Sequence, residues 1–304
     1  AWGAESAVYR VAGVLNVIGG WFFTAIVAFV AAAIMAYLIN LGGATAIAIL
    51  LFLAVLLMVR NYINHTKKSK ETRAEDSLNR AESSSIQGVI EESANNISSV
   101  VKRSNKIYAH IVDGLAKQEL DLLKKNKKQV VKLSGEIDDL RDNIFYFIKN
   151  LDEASVGASN FYINILGNLQ DMAQSLEYMA RVSHKHIHNN HKKLKYNQIK
   201  ELKEIDQKLD KLFAETKEAF ESRSFQRIGS VLSTKQELFD MVSQKIEKQI
   251  GRTRTEESSP KNTTLYFTLL LETKDLITAT FNLLELYYSE YDSTVKPAKV
   301  DLIK

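Results

Sequence analysis

Cysteine is absent from this sequence, proline occurs twice, and the 40 Lys and Arg outnumber the 36 Asp and Glu only slightly. Without thiols there can be no disulfide framework, no thiolate metal site and no cysteine nucleophile, which fits a reducing compartment. The net charge of +4 is too small a surplus to argue for nucleic acid as a partner. No Gly-rich phosphate loop, HExxH or GxSxG occurs, so nothing points to an enzyme. Alternating strand patterns are missing too, and an all-α fold is expected. The chain opens at Ala1, and its apolar start lacks the basic, apolar and small-residue order of a secretory signal. It therefore reads as the C-terminal piece of a longer protein.

What is present falls into two unlike parts. Gly20 to Ile39 is a run of twenty uncharged residues. At about 1.5 Å per residue it matches the roughly 30 Å hydrocarbon core of a bilayer. Asn40, Leu41, Gly42 and Gly43 interrupt it, and Ala44 to Val59 forms a second, shorter apolar segment that Leu41 and a snorkelling Arg60 can extend. The spacing predicts a transmembrane hairpin, with helices over about 20–39 and 44–60 within a membrane segment 1–63. Arg60, Lys67, Lys68, Lys70 and Arg73 crowd its far end, so the positive-inside rule puts everything that follows in the cytoplasm. The small residues of 1–19 suit close packing against other helices of a membrane bundle.

The stretch "ESAVYRVAGVLNVIGGWFFTA", with Gly20, Trp21 and Thr24 at the head of an apolar helix, resembles the C-terminal end of bacterial inorganic phosphate transporters of the PiT family. That resemblance covers about the first sixty residues. It implies a multi-pass inner-membrane symporter of inorganic phosphate and a coupling cation, Na+ or H+. The family's two GANDxxNA-like signatures are absent, so no phosphate-binding residue carries over to this chain.

Residues 64–85 mix both charge signs with Ser and Thr and read as a linker. From 86 to 304 the pattern becomes helical. Ile90, Ala94, Ile97, Val101, Tyr108, Ile111 and Leu115 share one stripe. Leu133, Ile137, Leu140, Ile144, Phe147 and Leu151 share a second, and Phe161, Ile165, Leu169, Met172, Leu176 and Met179 a third. A fourth helix begins near Leu202, a fifth covers Phe225 to Ile246, and a sixth covers about 262–290. Breaks are expected at "DEASVGAS", "NNHKKLKYN", "ESRS" and "GRTRTEESSP". An antiparallel bundle of about six helices after a PiT-like end resembles the PhoU-like domains associated with phosphate transporters. That resemblance implies two three-helix repeats, regulation of phosphate uptake, and metal-binding E/DxxxD pairs.

Two such pairs occur. Asp138 and Asp142, and Asp206 and Asp210, each lie four apart on one helix face, where carboxylate oxygens suit a hard divalent cation. An ordinary solvated helix surface has the same spacing. Glu272 and Asp275 sit in the apolar run "LYFTLLLETKDLITATF" and are candidates for partial burial beside a partner or a cation. His184, His188 and His191, spaced as one helix face, suit a transition metal or a pH response. The lysines around them favour contact with acidic lipid or with a transporter's cytoplasmic face instead. Asn160, Asn164, Asn168, Asp171 and Ser175 form a polar stripe on the third helix, either solvated or hydrogen-bonding across helices.

The expectation is thus the C-terminal part of a cation-coupled phosphate transporter. Its partners would be the bilayer, the transporter's membrane bundle and, in a homo-oligomer, further copies of itself, and the helical tail would regulate transport. The rivals are a two-helix membrane sensor and an anchored scaffold that signals through its bundle. A loop as short as 40–43 leaves a sensor almost nothing outside the membrane with which to sense.

Overall fold

The computed structural model describes most of residues 22–60, then 78–80, 83–144, 148, 156–254 and 259–294. The expectations for residues 1–19, for the charged stretch 61–77, and for Phe147 and Leu151 lie outside the described residues. The chain divides into two compact units, Ala1–Ala74 and Glu75–Lys304.

In the first unit, α1 runs over Phe22–Thr45 and α2 over Ile49–Arg60. At 24 residues α1 is long and apolar enough to cross a membrane, and none of its most apolar stretch is buried. Phe22, Phe29 and Leu41 are all exposed. Among the described residues α1 is the one helix both long and apolar enough for that, and α2 is apolar but shorter. The expected break at 40–43 is not seen, since these residues are helical and the helix runs through them to Thr45. Gly43, at φ +56°, supplies the left-handed residue, and the Thr45 hydroxyl donates to the Gly42 carbonyl at 2.6 Å.

The second unit is built from long helices: α3 (Ile86–Lys117), α4 (Leu120–Asp142), α5 (Val156–His188), α6 (Tyr196–Glu221), the short α7 (Ile228–Leu232), α8 (Lys235–Arg254) and α9 (Pro260–Glu290). No strand occurs among the described residues, as an all-α fold requires. Two starts are set by serine caps: the Ser85 hydroxyl accepts from the Gly88 amide at 3.1 Å, and Ser259 accepts from Asn262 at 3.3 Å, with Pro260 in the first turn. The α3–α4 turn pairs the Glu119 amide with the Gly114 carbonyl at 3.0 Å, with Gln118 in the left-handed region at φ 61°. A Cβ on Gly114 would come within 2.6 Å of the buried Leu123 side chain, which would have to shift to admit it.

Two boundaries differ from expectation. The break "DEASVGAS" is half helix, because α5 starts at Val156. The expected fifth helix is split into a 3-10 turn at Phe225–Arg227, α7 and α8. Buried Phe225, Ile228 and Val231 hold that corner against the core, a packing demand that outweighs the continuous helical spacing.

The four helices α3, α5, α6 and α9 pack around a common core. The main seams are α3 on α6 and α5 on α9, with α4 laid on α3 and α5, and α8 on α9. The core includes Ile90, Ile97, Leu133, Leu176, Leu209 and Ile277, each fully buried. Each such aliphatic side chain contributes about 1.5–3 kcal/mol relative to exposure. Tyr108 on α3 bonds Thr273 on α9 at 3.0 Å, and Ser93 and Tyr287 meet further along the same two helices, which fixes their antiparallel register.

Candidate functional site

The α5–α9 seam opens on its outer side into a cleft of about 600 Å³. The spacing of each helix explains its lining. Asp171, Gln174, Ser175, Tyr178 and Arg181 follow one face of α5 at steps of three and four, and Glu272, Asp275, Ala279 and Asn282 do the same on α9. The opposite faces of the same turns carry buried Met172, Leu176 and Met179, and Leu276 and Phe281, which anchor both walls.

Four carboxylates line the cleft, Asp171, Glu177, Glu272 and Asp275, against one cation, Arg181, whose guanidinium lies 4.9 Å from the Tyr178 ring centroid. Burial and the charge of Asp275 push the Glu272 carboxyl above its ordinary range, although a hydrogen bond with Ser175 works the other way. The cleft is thus a negative, water-accessible slot with one aromatic lip, chemistry that selects cationic groups. Oxygen donors of this kind suit a hard divalent ion. Among the described residues, however, no three His, Asp or Glu side chains converge to hold a metal. The cleft lacks a ready coordination cage among the described residues.

Glu272 and Asp275 thus meet Asp171 and Ser175 of the polar stripe in one cleft. Glu177, Tyr178 and Arg181 complete it and were not singled out from sequence. Their signal was available as a charged edge flanking the α5 stripe.

Asp206 and Asp210 lie on the other main seam, between α3 and α6. Asp210 accepts from the Asn105 side-chain amide at 2.7 Å. Half-buried Asp206 has one carboxylate oxygen enclosed without a hydrogen-bond partner. Its pKa is pushed up to about 6, first by burial and then by the charges of Asp113 and Asp210. Asp138 instead pairs with Arg141 one turn along α4 at 3.1 Å, and Asp142 lies exposed 4.0 Å from the same guanidinium.

The histidines separate. His184 and His188 stack with ring centroids 5.6 Å apart, but α5 ends at His188 and the left-handed Asn190 turns the chain, so His191 leaves that face and packs 5.1 Å from His186. Burial, followed by Lys127, His188 and Lys124, lowers the His184 pKa.

Sequence reasoning also missed a polar lock at this end of the bundle. Glu201 on α6 accepts two hydrogen bonds from Arg252 on α8, at 2.6 and 2.9 Å, and one from the Tyr266 hydroxyl on α9 at 2.6 Å. Burial would raise the Glu201 pKa, but these donors outweigh it and hold the carboxyl below its ordinary value. Gln249, on the same α8 face as Arg252, accepts from Gln198 at 3.1 Å.

No family model matches the sequence, and a search of curated proteins finds no match. Among solved structures, the crystal structure of the phosphate transport system regulatory protein PhoU from Streptococcus pneumoniae is similar, with a TM-score of 0.54 at 11% identity, covering 66% of this chain and 94% of that one. At that identity the likeness shows the fold: the second unit is a PhoU-like helical bundle.

Proposed function

We propose that this chain is a membrane-attached regulator of inorganic phosphate transport, the C-terminal part of a PiT-like symporter whose bundle biases the transport cycle. The carrying observation is the union, in one polypeptide, of an apolar helix of membrane-crossing length with a bundle that has the fold of a phosphate transport regulator. On this reading α1 belongs to a multi-pass inner-membrane domain and the bundle lies on the cytoplasmic side, which the basic residues after α2 favour. The acidic cleft engages a cationic element that is accessible in one transport state. Such a bundle changes uptake only through a difference in affinity between states.

The test is labelled-phosphate uptake by the full-length gene product in cells lacking other phosphate transporters, beside a truncation ending after Arg60. Uptake by both, with an altered dependence on external phosphate in the shorter protein, is expected. An inserted full-length protein that takes up no phosphate would sink the transporter reading. Loss of uptake only on truncation, with insertion intact, would make the bundle part of the transport machinery and not its regulator.

A further inference from the structure

Positive charge is concentrated on one end of the bundle. Residues 120–132 on α4 and 181–195, spanning the end of α5 and the turn after it, together hold ten Lys and Arg and a single acid, Asp121. With a net charge of only +4 for the whole chain, the remainder is net negative. These two stretches form one surface, because α4 packs on α5 and His184 feels the charges of both Lys124 and Lys127. Lys124, Lys125, Lys128, Lys185, Lys192, Lys193 and Lys195 are all exposed, and no ion pair engages any of them among the described residues.

The surface is built on a fixed backbone. The His191 amide donates to the His186 carbonyl at 3.2 Å, and the His186 ring bonds the Lys192 carbonyl at 2.9 Å. The Asn262 side chain donates to the Lys193 carbonyl at 2.6 Å, and Leu194 is buried beneath the turn. Two apolar groups lie among the lysines: Tyr196, 80% exposed at the start of α6, and Val131, 49% exposed on α4.

We infer that this end of the bundle docks on an anionic phospholipid surface. Apart from Arg181, which lines the α5–α9 cleft, the cations of these stretches are all lysine, point charges suited to a diffuse sheet of headgroups and not to the bidentate geometry that arginine brings to a single phosphate or a base. An exposed tyrosine beside lysines is the composition of a membrane interface. The same chain carries a helix of membrane-crossing length, and attachment through it would raise the local concentration of lipid. Each lysine near such a surface strengthens binding about fivefold. Docking does not depend on the phosphate-transport reading, since neither the cleft nor any transport step enters it.

The experiment uses the full chain in vesicles of phosphatidylcholine, alone or with phosphatidylglycerol. With no native cysteine, Lys128→Cys or Lys193→Cys carries a single fluorophore, and Gln226→Cys labels the opposite end as control. Quenching by spin-labelled headgroups should rise several-fold with phosphatidylglycerol at positions 128 and 193, stay flat at 226, and vanish at high salt. The docked-to-free ratio should fall by more than about fivefold per lysine reversed in K124E/K125E, while K124R/K125R retains it. Folding of each variant is checked by circular dichroism. Quenching that ignores phosphatidylglycerol, or that is equal at 226, overturns the proposal. A response at 128 to soluble heparin but not to the vesicles also overturns it, and assigns the surface to a soluble polyanion.

Discussion

The two ends of the bundle are closed by opposite chemistry. Where α3 and α5 begin and α6 and α9 end, the seal is aromatic: Phe220 meets Tyr287 edge-on at 4.8 Å and Phe225 at 5.6 Å, with Phe161 and Tyr291 completing the cluster. Where α6 and α9 begin and α8 ends, the seal is the Glu201, Arg252 and Tyr266 lock, bordered by the basic turn. An aromatic plug is indifferent to pH and salt over the physiological range, whereas an ionic lock holds only while its carboxylate is charged. The end with the lysines is therefore the end whose packing can respond to the charge around it. The aromatic end also carries an ion pair, Arg223 with Glu91 at 3.1 Å, but both its side chains are more exposed than those of the lock.

The sharpest way to break this contrast is to cut volume at one end and charge at the other. Phe220→Ala removes a fully buried ring and should cost about 4 kcal/mol in urea unfolding, whereas Phe220→Leu should cost only about 1.5. Glu201→Gln keeps the volume but removes the negative charge that faces the Arg252 guanidinium, only 17% of whose side chain is exposed, and should cost about 3 kcal/mol. If the isosteric change at Glu201 were harmless, the lock would be incidental. Gly114→Ala, which forces a methyl against Leu123 in the turn near the lock, should cost about 2 kcal/mol and leave the aromatic end unaffected by near-ultraviolet circular dichroism.

The contrast was half legible in the sequence. The heptad-like stripes place Ile97, Leu133, Leu176 and Leu209 in the core because helical periodicity records burial directly. Helix count and most breaks follow from the same signal and from Gly, Ser, Asn and Pro at the turns. The split of the fifth helix does not, because Phe225, Ile228 and Val231 keep the right spacing while the chain bends beneath them. Long-range polar pairing is equally hidden. Glu201 and Arg252 are 51 positions apart and look like two ordinary surface charges until α6 and α8 are set side by side. Glu272 and Asp275 were visible as charges in an apolar run, but their cleft exists only once α9 lies against α5. The histidine spacing misled because a left-handed Asn190 ends the regular geometry before His191.

The smallest effect sharpens the comparison through pH. Asp206 lies on α6 a little over one turn from Glu201, and the two carboxyls are displaced in opposite directions. For Glu201 the folded pKa is depressed, so its contribution is complete above the unfolded value and is lost as the pH falls through the folded one. For Asp206 the folded pKa is raised, so the native state binds the extra proton and stability declines as the pH rises from its ordinary 3.8 through about 6. Because the side chain is only half-buried, solvent screening reduces the penalty at neutral pH to about 1 kcal/mol. Asp206→Asn should therefore stabilise the bundle by about that amount at neutral pH and by almost nothing at pH values near the ordinary carboxyl pKa. Urea midpoints measured across that window check it, and a stabilisation that does not vary with pH would assign the effect to packing and not to the strained carboxylate. Set beside Phe220→Leu, whose cost should be the same at every pH, the pair would separate a titratable contribution from one made by packing alone.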